Sequence, residues 1–61
     1  MDYQTALNAS KKGLMVKIVE GPNTGVTGTA GRMFIVFGQD WITVEGVNET
    51  CTTAIRNVVM V

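Results

Sequence analysis

The sequence has 61 residues, of which 46% are apolar and 16% charged, and its net charge is zero. This length allows one domain at most, and the apolar content excludes an intrinsically disordered chain. There is no histidine and only one cysteine, Cys51, so the residues for an internal disulfide, a Cys/His zinc site or a histidine-assisted nucleophile are missing.

The balance of charged and apolar residues also bears on partners. A domain built mainly to neutralise nucleic-acid phosphates is normally basic, and this one is neutral. A chain this short buries only about 60% of the surface that its unfolded form exposes. Its apolar surplus therefore favours contacts with a partner protein or with further copies of the chain.

Residues 1–12 form an N-terminal segment for which two interpretations stay open. In the first, Asp2 caps a short helix that Gly13 ends, and Tyr3 and Leu7 lie on one helical face and dock on the rest of the domain. In the second, the segment is a mobile arm, because ten residues are marginal as an isolated helix in water.

The first strand is expected over Leu14–Glu20. Leu14, Val16 and Ile18 share a face, which we expect to be the core face because the opposite face carries a lysine. The next five residues, Gly21–Gly25, have the composition of a turn.

A long strand is expected over Val26–Phe37. Gly28 and Gly31 interrupt it, and a glycine inside a strand marks a bulge, a bend or the close approach of another backbone. The three residues 38–40 are expected to turn the chain into the next strand, Trp41–Glu45.

In that next strand, Ile42 and Val44 are expected to point into the core and Trp41 to lie at its rim. Most of the aromatic residues around the turn are interpreted as core or rim packing, and a stacking platform for bases stays open as the less favoured alternative. Base stacking needs exposed rings near positive charge, and little charge is near in the sequence. These aromatic residues are Phe34, Phe37 and Trp41.

The last part of the chain predicts two more strands. Thr50–Thr53 follows a hairpin connection at residues 46–49, and Val58–Val61 follows a single helical turn at Ala54–Asn57. Five short strands with regularly spaced turns predict an all-β fold, a five-stranded small barrel over residues 13–61.

The segment VKIVEGPNTGVTGTA, residues 16–30, resembles a KOW motif. The pattern of that family is an alternating strand, Gly-Pro, two residues, Gly, two residues, Gly and an apolar residue two positions later, and each position is matched. The helical turn and last strand at the end of the chain resemble those of SH3-like barrels. The resemblance implies an SH3-like barrel with a KOW-type core, an outline that small phage-encoded barrels share.

KOW domains of ribosomal proteins and transcription elongation factors bind RNA, DNA or RNA polymerase, often through the loop that corresponds to Gly21–Gly25. The resemblance therefore implies RNA polymerase, a ribosome-associated protein, or RNA or DNA as partner. Family loops often carry Lys or Arg where this chain has Asn23, Thr24 and Thr27. The uncharged side chains of this chain would release no counterions from a nucleic acid and so gain no affinity in that way. The candidate contact residues are Lys11, Lys12, Lys17, Gly21, Pro22, Asn23, Thr24, Gly25, Arg32 and Trp41.

The sequence predicts no enzyme, cofactor or metal site. The carboxylates show no paired spacing, the glycines do not form a P-loop pattern, and Cys51 is expected to be a buried small residue. There is no signal-peptide pattern and no apolar run long enough to span a bilayer. We therefore expect no membrane partner, and the lone cysteine favours the cytoplasm.

The leading hypothesis is a non-enzymatic binding module, a protein-interaction adaptor or modulator of the transcription or translation machinery. Neutral charge and high apolar content favour a protein surface over naked nucleic acid. Two alternatives stay open. One is direct RNA or DNA binding through the loop and the nearby lysines and arginine, and the other is a structural homo-oligomer closed by apolar faces.

Overall fold

The computed structural model describes residues 1–61 as one helix and a five-stranded antiparallel sheet. The strand order in the sheet is β4-β3-β2-β1-β5, so β4 and β5 are its two ends and the sheet does not close. The mostly-β fold with five strands is as predicted. The elements in chain order are α1 (Tyr3–Lys12), β1 (Met15–Ile18), β2 (Thr27–Val36), β3 (Gln39–Gly46), β4 (Thr50–Ala54), a 3₁₀ turn (Ile55–Asn57) and β5 (Val58–Met60).

The hydrophobic core lies between one face of the sheet and the helix. Its largest fully buried side chains come from β1, β3 and β5, and the inward positions predicted for β1 and β3 are confirmed, apart from Leu14, which is half-buried at the margin of the core. These fully buried side chains are Val16, Ile18, Ile42, Val44 and Val58.

Helix α1 has both caps that the sequence suggests, so of the two interpretations of residues 1–12 the structure shows the short helix. The Asp2 carboxylate accepts a hydrogen bond of 2.8 Å from the backbone N–H of Thr5, one of the helix's unpaired donors. At the other end Gly13 has a φ of +62°, and its N–H donates to the Ala9 carbonyl. This left-handed backbone conformation is strained for most residues with a side chain, whereas glycine adopts it readily.

The face by which α1 docks differs from the expectation. Tyr3 is 47% exposed and Leu7 is half-buried, whereas Ala6 and Ala9 are completely buried and belong to the core. Alanine has no side chain beyond Cβ, so a face of alanines lets the helix backbone approach the sheet closely. The helix therefore packs on the sheet through its small residues and not through its larger apolar side chains.

Removing the cap of α1 should give a pH-dependent loss of stability. The hydrogen bond from Thr5 lowers the pKa of Asp2 below its ordinary value of 3.8. A carboxyl whose pKa is lower in the folded state stabilises the fold above the ordinary pKa and loses that contribution as pH falls through the folded-state value. We expect Asp2→Ala to melt a few degrees below the wild type at pH 7, with the gap closing below about pH 4.

The matched variant is Asp2→Asn, which keeps a capping oxygen but has no titrating charge. Thermal melts from pH 2 to pH 7 should show it near the wild type at neutral pH. A constant gap between wild type and Asp2→Ala across this range would contradict the assigned role of the carboxylate.

Glycines at two positions of β2 let the strand pass close to β3, as expected. A Cβ on Gly28 would lie 2.7 Å from the backbone nitrogen of Gly46, and closer still to the Glu45 carbonyl.

The pairing register shifts between Ala30 and Met33, so two residues on β2 oppose one on β3. This is a β-bulge, which bends the strand and reverses which face later side chains occupy.

Candidate functional site

The loop Gly21–Gly25 is held in one conformation by hydrogen bonds. Across its base, the N–H of Gly25 donates to the Ile18 carbonyl at 2.8 Å. Within it, Thr24 donates to the Gly21 carbonyl from its hydroxyl at 2.7 Å and from its N–H at 3.3 Å. The loop predicted from composition is therefore an ordered turn.

The 3₁₀ turn supports the loop from behind. The N–H of Val19 donates to the Asn57 carbonyl at 2.8 Å, and the Asn57 side chain donates to the hydroxyl of Thr53 at 3.0 Å. Gly21, with a φ of +87°, sits so close that a Cβ would lie 3.0 Å from Asn57 Nδ2. The loop is thus fixed to the sheet, as a contact loop on a rigid scaffold should be.

Strand β5 carries apolar side chains beside this loop. Lys17 pairs directly with Val59, and both are exposed. Val19, on the same face as Lys17, is 39% exposed, and Val59 is 42% exposed. We call the loop Gly21–Gly25 with the three side chains Lys17, Val19 and Val59 the loop–edge surface.

The backbone of β5 offers little to an added strand. The N–H of Val61 donates to Met15 at 3.3 Å, and in an antiparallel pair alternate residues turn their backbone groups outward, here Val58 and Met60. The carbonyl of Val58 already accepts from the Met1 nitrogen at 2.9 Å. Recognition at the loop–edge surface therefore has to rely mainly on side chains.

The predicted basic contact residues divide into two groups. The Ser10 hydroxyl donates to the Gly31 carbonyl, which brings the helix end with Lys11 and Lys12 to the bulge that carries Arg32. Lys17 lies instead beside the loop, opposite Thr27. The structure does not gather these charges into one patch around the loop.

Trp41 lies on β3 and is not part of the loop–edge surface. It lies between Phe34 on β2 and Ala54 on β4, and it is only partly exposed, so it is a rim residue as predicted. Its indole N–H is buried without a hydrogen-bond partner. The ring therefore acts in packing the sheet and is not a free platform for a base.

The hairpin of β2 and β3 extends beyond the rest of the sheet. Strand β1 pairs only with the start of β2, up to Thr29, and β4 pairs with β3 only as far as Trp41. From Ile35 to Asp40 the hairpin is a two-stranded ribbon without a third strand on either side. At about 3.3 Å per residue, this ribbon projects roughly 10 Å.

The end of this ribbon is apolar on both faces. Because of the bulge, Met33 pairs with Ile42 and shares the helix side with Ile35, while Phe34 and Val36 alternate to the other side. Ile35 is 67% exposed and Phe37 is fully exposed. The interpretation of Phe37 as core or rim packing is therefore wrong, because the ribbon carries it past the end of the core.

The turn at the tip also differs from the expectation at residues 38–40. Val36 pairs with Gln39, so the turn consists of Phe37 and Gly38 alone, and residues 39 and 40 already belong to β3. Both turn residues have positive φ, +50° and +74°. Such turns favour Asn-Gly or Asp-Gly, because positive φ is unfavourable for a bulky side chain.

A groove of about 280 Å³ opens where the helix start meets the ribbon. It is lined by four apolar residues and a single carboxylate, namely Tyr3, Met33, Phe34, Ile35 and Asp40. We call the exposed side chains on its side of the ribbon, Tyr3 and Ile35, together with Phe37 at the tip, the hairpin surface. Sequence reasoning missed it because alternation alone places a five-residue apolar run in a core strand.

The remaining reactive groups are the thiol of Cys51 and the carboxylates. Cys51 is buried, and burial together with its hydrogen bond to Glu49 raises the pKa of its thiol. No three acidic or thiol side chains cluster where they could hold a metal ion. The only helix is also too short and too polar to cross a lipid bilayer.

Comparison with protein-family models, with curated proteins and with solved structures finds no match for this chain.

Proposed function

We propose that this chain is a non-enzymatic protein-binding module of the transcription or translation machinery, an SH3-like barrel with a KOW-type core. The observation that carries the proposal is the loop–edge surface, where a rigid turn lies beside exposed apolar side chains. Interfaces of proteins with proteins combine such apolar centres with polar rims. The antiparallel strands on either side of the loop, and the 3₁₀ turn before the last strand, support the KOW and SH3-like resemblance.

A protein partner accounts for this surface better than a nucleic acid does. Lys17 is the only basic residue in the loop–edge surface, and the other three predicted basic contacts lie near the bulge. A phosphate backbone is bound by several cations along one track. Val19 and Val59 offer apolar area, which a partner protein can cover and a phosphate cannot.

The proposal is tested by affinity capture from a cell lysate, with and without nuclease, followed by identification of the captured proteins. We expect capture of RNA polymerase or ribosome-associated proteins that survives nuclease treatment. Val59→Glu should reduce it at least about tenfold, since a charge would be buried at the centre of the contact. Thr52→Glu places the same charge on the exposed strand at the other end of the sheet and should leave capture intact.

Capture that disappears after nuclease treatment would instead support RNA or DNA as the ligand. Equal capture by Val59→Glu and the wild type would remove the loop–edge surface from the proposal.

A further inference from the structure

The loop–edge surface leaves the hairpin surface at the other end of β2 without a role. Seven residues of β2, from Thr27 to Met33, separate the loop from the ribbon end, roughly 20 Å along the strand. We infer that the hairpin surface binds a second copy of this chain, with Phe37 of each copy inserted into the groove of the other. This goes beyond the proposed function and uses a different part of the molecule.

The hairpin surface carries both a protruding side chain, the knob, and a groove that can receive one, the hole. Phe37 is fully exposed at the ribbon tip, and the groove begins two residues away at Ile35. A cavity of about 150 Å³ is enough to hold a benzene ring, and this groove has about 280 Å³. Two copies related by a two-fold axis would place each knob in the facing hole, which is the self-complementarity that closed dimers require.

The groove side of the ribbon and helix offers enough apolar area for a weak dimer. Its exposed fractions are 104% for Phe37, 67% for Ile35 and 47% for Tyr3. With about 200 Å² for a fully exposed large side chain, these three amount to roughly 400 Å². Two copies would bury roughly 900 Å² before any polar rim is counted, an area typical of weak association that dilution reverses.

The ribbon is almost free of charge, which also favours a protein partner. The chain carries no charged residue from Met33 to Gln39, and Asp40 is the only charge lining the groove. Charged residues are depleted at the centres of protein interfaces. A ribbon built to enter an anionic lipid surface would be expected to carry basic residues around its tip, and the nearest, Arg32, is at the bulge.

The backbone at the tip of the ribbon is strained. Phe37 has a φ of +50°, which is strained for a bulky residue, next to a glycine that would form a favourable turn with asparagine. Strain of this kind at an exposed position indicates a role for the side chain outside the fold. A knob that fills the groove of a second copy supplies that role.

The test is sedimentation velocity over a dilution series, supported by light scattering. We expect the wild type to pass from dimer to monomer as it is diluted. Phe37→Asn should weaken association at least tenfold, as expected for a central aromatic contact, while its melting temperature at low concentration equals or exceeds that of the wild type. Val47→Asn changes an equally exposed side chain in the opposite turn, 97% exposed, and should leave association unchanged.

A mixing experiment tests the reciprocal geometry. Phe37→Asn removes the knob and Tyr3→Ser damages the groove, so each variant alone loses both contacts of its dimer. A mixed pair keeps one intact contact, in which Phe37 of the Tyr3→Ser chain meets the undamaged groove of the Phe37→Asn chain. We expect the mixture to associate more strongly than either variant by itself.

A monomeric wild type at every concentration would overturn the inference, and so would a dimer that Phe37→Asn leaves unchanged. Binding of the monomer to phosphatidylcholine–phosphatidylserine vesicles through Phe37 would overturn it in favour of a lipid ligand. These outcomes are separate from those of affinity capture, because Phe37→Asn leaves the loop–edge surface intact. A monomeric variant that still captures its partner would support the proposed function and show that the dimer is not needed for it.

Discussion

Replacing Gly28 by alanine is expected to cost about 3 kcal/mol or more of the free energy of unfolding, which would leave much of the protein unfolded at room temperature. A domain of this size has only about 3–9 kcal/mol to lose, at roughly 0.05–0.15 kcal/mol per residue. The added Cβ would meet the backbone of β3 at Glu45 and Gly46, and not a side chain that could turn away. Urea denaturation followed by circular dichroism measures the loss.

The matched variant for this experiment is Gly31→Ala. A Cβ there would lie 2.6 Å from the Glu45 carboxylate, which is the flexible end of a side chain, and 3.3 Å from the Thr43 carbonyl. The Glu45 side chain can swing into solvent, so we expect a loss of about 1 kcal/mol. Equal losses for the two variants would show that β2 and β3 do not approach each other as closely at Gly28 as described.

Placing a charge between the helix and the sheet is the second change with a large expected effect. Ala6→Asp should lower the free energy of unfolding by about 3 kcal/mol or more. Ala6 is completely buried, and no cationic side chain in the surrounding core cluster could pair with the new carboxylate. Asn8→Asp introduces the same residue on the exposed side of α1 and should stay within about 0.5 kcal/mol of the wild type. Urea denaturation of both variants at pH 7 provides the comparison.

This second experiment also tests whether α1 is part of the fold. If the helix were only a mobile arm, neither Ala6→Asp nor Asn8→Asp would change the free energy of unfolding. If the helix docked by Tyr3 and Leu7, substitutions at those two residues would cost more than Ala6→Asp. We expect the opposite order, because Tyr3 is 47% exposed and Leu7 is only half-buried.

Much of the fold follows from local rules that the sequence displays. Alternation identified Val16 and Ile18 as inward residues because a strand has only two faces. Both ends of the helix, the N-cap Asp2 and the C-cap Gly13, could be predicted, because each cap depends on the chemistry of a single residue. The loop at Gly21–Gly25 was equally clear, since its residues suit positive φ and tight turns.

The candidate sites were less predictable because they depend on where elements end relative to one another. Phe37 belongs to an apolar run, and such a run predicts a core strand unless one knows that β1 and β4 stop short of it. The bulge near Arg32 adds one residue to β2 and thereby exchanges the faces of all side chains that follow. The residue pattern indicated an irregularity at Gly31, but not the resulting faces.

By itself, then, the amino-acid sequence determined the class of the fold, the strand positions, the helix caps and the ordered loop, since each depends on periodicity or on the conformational preference of a few neighbouring residues. Only the tertiary structure decided that Ala6 and Ala9 hold the helix on the sheet, that the basic residues fall into two groups, and that the hairpin projects with an exposed Phe37. These features arise from contacts between segments far apart in the chain. Strand lengths, registers and close approaches set such contacts jointly, and no single segment encodes them.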